Sequence, residues 1–282
     1  MTSFSEDDLD ERYAFARALA QSTGERALQL QRSGTALSVS NKGLQDFVTN
    51  ADRECEALIR AAIADAFPED GFLGEETGKA GGKAGGGGPI WVIDPIDGTN
   101  NYMRLLPDWG VSIALVADGD IALGAIFDAT TKTVFHARRN HGAFQGDKPL
   151  SASKNDNPKT ALAITGHSRR TPIAPYLDLL SRLHEHGFDH RRIGAAALGL
   201  LRVAEGKAEL FHEAHLNCWD VMAGILIAEE AGAVVERPAL PDLLLQGGAV
   251  RASAPEINAT VADLFRMMEP DEVSRQFREQ QG

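Results

Sequence analysis

Cysteine is nearly absent from this chain: Cys55 and Cys218 are its only two among 282 residues. Without paired spacing they make neither a disulfide framework nor a zinc site, and a reduced, cytoplasmic setting is expected. Long apolar runs are also missing, since no stretch reaches the roughly 18 residues that a membrane span requires. The acidic start, Met1 to Arg12, lacks a basic segment followed by an apolar core, so no secretory signal is read there. Basic charge is scarce. Lys and Arg total 28 against 40 Asp and Glu, a formal net charge of −12. No basic stripe offsets that balance, which argues against direct binding of nucleic acid. Any attraction for an anion such as phosphate must therefore be local. No internal repeat is present.

What the chain does have is concentrated in Trp91-Val92-Ile93-Asp94-Pro95-Ile96-Asp97-Gly98-Thr99-Asn100-Asn101-Tyr102. Ile90 to Ile93 reads as a buried strand that Pro95 ends, because proline cannot donate to a sheet ladder. Asp94 and Asp97 then follow the strand closely enough to face one point. Gly98 and Thr99 open a short helical stretch that stops before Pro107. Unpaired N–H groups at such a start favour an anion such as phosphate. Two unit charges 4 Å apart repel by about 4 kcal/mol at an effective dielectric near 20. A helix start returns only about 0.3–1 kcal/mol. Carboxylates beside an anion site thus imply cations between them, and oxygen donors suit hard ions, above all Mg²⁺. The segment points to metal-assisted phosphate chemistry.

Periodicity predicts a first helix from residue 5 to about 31, using Leu9, Tyr13, Ala16, Ala20, Ala27 and Leu30, with Gly24 interrupting its middle. A second helix is predicted over Ala51 to Ala66, with Cys55, Leu58, Ile59, Ala62 and Ile63 as its apolar stripe, Thr49 or Asn50 as cap and Pro68 as its end. Gly78 to Gly88 reads as a flexible loop. Trp109–Val116 and Ile121–Phe127 read as a hairpin around Asp118-Gly119-Asp120, continued by Thr131 to Ala137. From Ala161 onward strands and helices alternate: helices near 172–186, 195–205 and 219–231, strands near 161–165, 188–193 and 208–212. An α/β layer packed beside a more antiparallel first half is expected.

Four separated blocks resemble the inositol monophosphatase-like family of Mg²⁺-dependent phosphatases. They are Asp46-Phe47-Val48-Thr49-Asn50-Ala51-Asp52, Gly74-Glu75-Glu76-Thr77, the Asp94 to Tyr102 segment, and Cys218-Trp219-Asp220-Val221-Met222-Ala223-Gly224 running to Glu230-Ala231-Gly232. Asn101-Tyr102, together with Glu213 seven residues before Asp220, is most similar to the inositol monophosphatase branch. The resemblance implies one α/β (α+β) domain over residues 1–282, a layered αβαβα sandwich with halves at about 1–155 and 156–282. It also implies a homodimer and two or three Mg²⁺ per site.

The same resemblance implies roles for individual residues. Glu75, Asp94 and the Ile96 carbonyl would hold one metal, and Asp94, Asp97 and Asp220 a second. Thr99 and Asp52 would orient the attacking water, with Glu76 supporting them. The Gly98 and Thr99 amides would cradle phosphate. Asp97, Glu213 and the Gly194–Ala195 backbone would meet the hydroxyls of a small phosphorylated polyol or sugar, inositol 1-phosphate in the first place. Ala195 departs from the family's usual Ser or Thr, and Gly199 from a common Asp, so the substrate is where the pattern loosens. Other phosphatases of the family are the alternatives: fructose-1,6-bisphosphatase, 3′-phosphoadenosine 5′-phosphate phosphatase and histidinol-phosphatase. A regulatory protein retaining the fold is a further one. The Asp-x-Asp-Gly-Thr signature of haloacid dehalogenase phosphatases is not met, because Pro95 stands two residues before Asp97.

Overall fold

The computed structural model describes residues 4–33, 39–43, 46–81, 88–168 and 170–266. Ser5 starts α1 (Glu6–Arg32) with a capping box closed by Asp8. The helix runs unbroken through Gly24, and the reason is packing. A Cβ there would lie 2.1 Å from the Phe127 ring, so glycine lets the ring seat against the helix. After β1 (Val39–Gly43) and β2 (Asp46–Thr49), which pair antiparallel, Thr49 caps α2 (Asn50–Ala66). The stripe on α2 differs from the expected one. Cys55, Ile59 and Ile63 are buried, but Leu58 is 46% exposed and Glu56 takes the buried place instead.

Next come β3 (Gly71–Gly74), β4 (Gly78–Gly81), β5 (Ile90–Asp97) and α3 (Thr99–Met103). Two expectations need correction here. Gly78 to Gly81 is a strand paired antiparallel with β3, not loop; residues 82–87 of that expected loop lie outside the described residues. Strand β5 also does not stop at Pro95. It continues to Asp97 through a register shift between Asp94 and Asp97, and a bulge is where a strand tolerates a residue with no N–H.

The meander that follows is β6 (Gly110–Ala117), β7 (Asp120–Asp128), β8 (Thr133–Arg138), β9 (Ala143–Gln145) and β10 (Lys148–Pro149). Asp118 and Gly119, both at positive φ, make its first tight turn. These strands form one sheet in the order β10-β9-β8-β7-β6-β5-β3-β4, in which β3 and β5 run parallel. The second half contains β11 (Leu162–Gly166), α4 (Ile173–Glu185), β12 (Asp189–Arg191), α5 (Ala196–Ala204), β13 (Leu210–Leu216), α6 (Cys218–Glu230), β14 (Val234–Glu236), α7 (Leu240–Gln246), β15 (Gly248–Ser253) and α8 (Asn258–Arg266). Its five-stranded sheet has the order β12-β11-β13-β15-β14.

Three apolar clusters build the layers. One joins α1 and α2 to the first face of the large sheet, through Ala16, Ala20, Ile59, Trp91, Ile113 and Phe127. The second holds α5 and α6 between the two sheets, through Val92, Ile126, Leu200, Phe211, Ile225 and Val250. The third packs α4 and α8 on the outer face of the small sheet, through Ala163, Leu179, Leu210 and Val261. The result is the αβαβα sandwich, with each buried Leu, Ile or Phe worth about 1.5–3 kcal/mol.

One buried polar contact at the edge of the first cluster makes a pH prediction. His136 Nε2 faces the Gly146 carbonyl at 2.8 Å and so must donate to it; Nδ1, at 2.5 Å, then accepts from the Tyr13 hydroxyl. Burial pushes its pKa down to about 4, from an ordinary 6.5. Between those values the unfolded chain binds the proton and the fold does not, so stability falls as pH falls from 6.5 to 4. The melting temperature should drop more steeply over that window in the parent than in His136→Gln, by about 2–4 °C for each kcal/mol involved. Equal slopes would show that His136 is not kept neutral by the fold.

Candidate active site

Strand register brings the acidic blocks together. Because β3 and β5 are parallel with Gly74 opposite Ile93, the next residues along each strand, Glu75 and Asp94, emerge side by side. The Glu75 amide also donates to the Ile93 carbonyl at 3.2 Å. On the other flank Asp94 pairs with Ser112 of β6, whose hydroxyl donates to the Trp219 carbonyl at 3.3 Å. That bond docks the start of α6, and with it Asp220, against the same strand end.

Asp220 is the third residue of α6. Asn217 caps the helix, and Asp220 Oδ2 accepts from the Asn217 amide at 2.8 Å. Trp219 packs against the central cluster, as core.

Asp52 reaches the site from the first turn of α2. It is fully buried, and its Oδ2 accepts from the Thr49 amide at 2.9 Å and from the Thr49 hydroxyl. Its Oδ1 faces the Thr99 hydroxyl at 3.0 Å, which has a second acceptor in the Ile96 carbonyl at 3.1 Å. One proton cannot serve both, so Thr99 chooses between them. Burial raises the Asp52 pKa against the pull of these hydrogen bonds.

Asp97 crosses to the second half. Its two oxygens accept from the Ala196 amide at 3.2 Å and the Ala197 amide at 2.7 Å, at the start of α5. The N-cap of that helix, Ala195, has no side-chain acceptor, so Asp97 does the capping from another layer. Ala195 is itself only 4% exposed and packs towards Gly98. Gly199 faces the Phe211 ring, which a Cβ would approach to 2.6 Å; the missing side chain is thus a matter of core packing.

Electrostatics follow from this crowding. Asp94 is held well above the ordinary carboxylate range by burial, and then by Glu75, Asp97, Asp220 and Asp52 around it. Burial and Asp220 push Asp97 up to about 7. Glu213 is pushed up to about 8 by burial, with Asp220 and Asp97 adding to it and Arg192 opposing. Among the described residues, no three His, Cys, Asp or Glu side chains close round one point as a finished metal shell. The carboxylates gather as repelling neighbours. An all-oxygen set of that kind suits a hard divalent cation and not a soft one.

Three residues of this region carry contacts that the motif reading did not foresee. Asn101 Nδ2 donates to the Asp108 carbonyl at 2.7 Å and the Ile193 carbonyl at 2.9 Å, tying the Gly98 loop to Gly194. Gly166 leaves room for Glu213, since a Cβ would lie 1.8 Å from Glu213 Oε1. Glu56 accepts from the Glu76 and Thr77 amides at 2.8 and 2.9 Å. Its spacing, one helical turn after Asp52, was the available signal. Glu76 lines a cavity of about 420 Å³ behind that turn, with Arg53, Arg60 and Thr77. Arg191 is spent on Asp189 at 2.7 Å.

Known proteins resemble this chain in sequence and in fold. A model of the inositol monophosphatase family matches residues 8–268. Inositol-1-monophosphatase of Caulobacter vibrioides is 34% identical over 256 residues, 89% of this chain and 96% of that protein. The Nus factor SuhB of Xylella fastidiosa is 36% identical over 218 residues, 77% of this chain and 78% of that protein. Among solved structures, the extragenic suppressor protein suhB from Bartonella henselae superposes with a TM-score of 0.82 at 31% identity, covering 90% of this chain and 96% of that one. An IMPase from Thermotoga maritima gives 0.79 at 25% identity, covering 92% and 98%. The chain belongs to the inositol monophosphatase family of phosphatases.

Proposed function

We propose that this chain is a Mg²⁺-dependent phosphomonoesterase acting on inositol 1-phosphate or a similar polyol or sugar phosphate. The observation that carries the reading is the convergence of Glu75 after β3, Asp94 and Asp97 on β5, and Asp220 on α6 onto one buried strand end. Glu75, Asp94, the Ile96 carbonyl, Asp97 and Asp220 would hold the cations. When bound, these would neutralise the phosphate and make water acidic enough to attack near neutral pH. The chain's own part is orientation. With its proton on Asp52 Oδ1, the Thr99 hydroxyl presents a lone pair that accepts from the attacking water and aims it. Asp52 cannot turn away, because both of its oxygens are engaged. The Gly98 and Thr99 amides, at the start of α3, meet the equatorial phosphate oxygens. Asp97 and Glu213 face the alcohol.

The residues act as one unit over the whole chain, in the cytoplasm and as a homodimer. The relatives named Nus factor SuhB favour a second reading, in which the fold serves as a Nus factor alongside catalysis. A full set of clustered carboxylates, with Asp52, Asp94 and Asp97 buried, favours retained catalysis, since packing alone would not keep mutually repelling acids.

The test is phosphate release from inositol 1-phosphate, fructose 1,6-bisphosphate, 3′-phosphoadenosine 5′-phosphate and histidinol phosphate, each with Mg²⁺ and with EDTA. Mg²⁺-dependent preference for the inositol ester is expected. Release that EDTA leaves untouched would reject the metal assignment, and preference for another ester would reject the substrate.

Gly166→Ala probes the polyol wall by itself. The backbone there has no positive φ, so alanine fits the chain and only Glu213 must move. Losing a hydrogen bond costs about 0.5–1.5 kcal/mol net, so KM for inositol 1-phosphate should rise about two- to tenfold with kcat little changed. An aryl phosphate without hydroxyls should be hydrolysed as before. An unchanged KM for the inositol ester would remove Glu213 from the wall.

A further inference from the structure

We propose that Glu56 is a positioning residue that sets cation affinity by holding the Glu75–Glu76–Thr77 turn beside Asp94. The proposal rests on the metal-dependent reading above and adds to it a residue with no part in ligation.

Glu56 is 1% exposed. A carboxylate buried that completely is costly unless its lone pairs are used. Among the described residues they are used on one turn: Oε2 accepts from the Glu76 amide and Oε1 from the Thr77 amide, at 2.8 and 2.9 Å. Both donors belong to the turn that leaves β3, one and two residues beyond Glu75. The fit is close. A Cβ on Gly74, the last residue of β3, would lie 2.5 Å from Glu56 Oε2 and 2.6 Å from its carboxyl carbon. Glycine at 74 is thus what lets the carboxylate lie against the strand end.

Two charge-assisted bonds to adjacent amides fix both the height and the rotation of a turn, which one bond would not do. Besides the β3–β4 pairing that closes it, the turn is held from two sides. The Glu75 amide hangs from the Ile93 carbonyl on the β5 side, and Glu56 holds it from the helix side. Helix α2 also carries Asp52, one turn earlier on the same face, which holds Thr99. A single helix thereby registers the acid turn and the Gly98–Thr99 loop against each other. Loosening Glu56 frees Glu75 to drift from Asp94 and leaves Thr99 where it is.

The variants are Glu56→Ala and Glu56→Gln. The second keeps the volume and one acceptor, so it carries the test if the first does not fold. Melting temperature is followed against Mg²⁺ concentration, and phosphate release is followed over the same titration. Groups that support a metal ligand from behind typically alter metal affinity by 10–100-fold. The concentration of Mg²⁺ giving half the thermal stabilisation should accordingly rise about 10–100-fold for Glu56→Ala and less for Glu56→Gln. At saturating Mg²⁺, kcat should return to within about threefold of the parent. A half-saturation point unchanged in the folded variants overturns the proposal, whatever happens to the melting temperature. So does a lower kcat with unchanged Mg²⁺ dependence. A parent that Mg²⁺ does not stabilise overturns the metal reading, and the proposal falls with it; a responsive parent with equally responsive variants overturns the proposal alone.

Discussion

Asp94→Asn should abolish phosphate release while making the cation-free protein more stable. The two effects have one origin. Asp94 sits among Glu75, Asp97, Asp220 and Asp52, and its carboxyl is buried. In the proposed enzyme it is the carboxylate that would serve both cations. Replacing it by an amide forfeits charge stabilisation of several kcal/mol, and about 4 kcal/mol corresponds to a fall of about 10³-fold in kcat. The fold itself loses nothing by the change. Asparagine keeps Oδ1, which accepts from the Ile96 amide at 3.0 Å, and it removes a charge that its neighbours repel.

The pH dependence gives the sign. With no cation bound, Asp94 takes up a proton in the fold well above its ordinary 3.8. Its contribution to stability is therefore complete at acid pH and is lost as pH rises through the raised value. The melting curve of Asp94→Asn should move above that of the parent as pH rises from about 4, by about 2–4 °C for each kcal/mol relieved. Scanning calorimetry in EDTA, with and without added Mg²⁺, checks both halves: the parent should gain from Mg²⁺ and the variant should not. Near-normal kcat in the variant would sink the metal assignment. A variant less stable than the parent in EDTA would show that Asp94 is satisfied by something other than a cation.

The layered architecture and the acidic strand end were legible in the sequence for a physical reason. Strand β5 is apolar until its last turn, so Asp94 and Asp97 stand out against Trp91, Val92 and Ile93. Long periodic helices such as α1 and α6 were equally plain. Other features were decided by tertiary contacts and left a weak signal. Glu56 was passed over because a Glu between Cys55 and Ile59 reads as the polar edge of a stripe. Only the folded chain shows that Leu58 is exposed and Glu56 buried. Strand β4 has the composition of a linker, Gly-Lys-Ala-Gly, and is held by its neighbour β3 rather than by propensity. Pro95 was read as a stop, but a bulge absorbs it. Asp97 capping α5 was invisible, because the helix it serves begins about a hundred residues later and its own N-cap is an alanine. After Glu230 the short strands β14 and β15 had little periodicity to announce them, whereas α8 carries a clear apolar stripe that was passed over.

Gly98→Ala should cost about two orders of magnitude in kcat/KM, and a matched glycine elsewhere shows why. Gly98 has φ +92°, a conformation that costs an L residue about 1–2 kcal/mol. Space is the larger difficulty. A Cβ would lie 2.9 Å from the Asp108 carbonyl oxygen and 3.1 Å from Ala195 Cβ. The Asp108 carbonyl cannot simply retreat, since Asn101 holds it and the Ile193 carbonyl with the same amide group. Any shift therefore passes to Gly194 and on to the α5 amides that hold Asp97. On the other side of the loop it passes to Thr99. A displacement near 1 Å in groups that aim a reaction can cost about 10²-fold. Gly232 separates this from backbone strain. Its φ is +90°, yet nothing lies within 4 Å of where its Cβ would be. Gly232→Ala should lower the melting temperature by about 2–8 °C, from about 1–2 kcal/mol of strain, and leave kcat/KM alone. Gly98→Ala should lose that much stability and the activity as well. Equal kcat/KM in the two variants would show that the Gly98 loop tolerates displacement, and would remove its amides from the phosphate site.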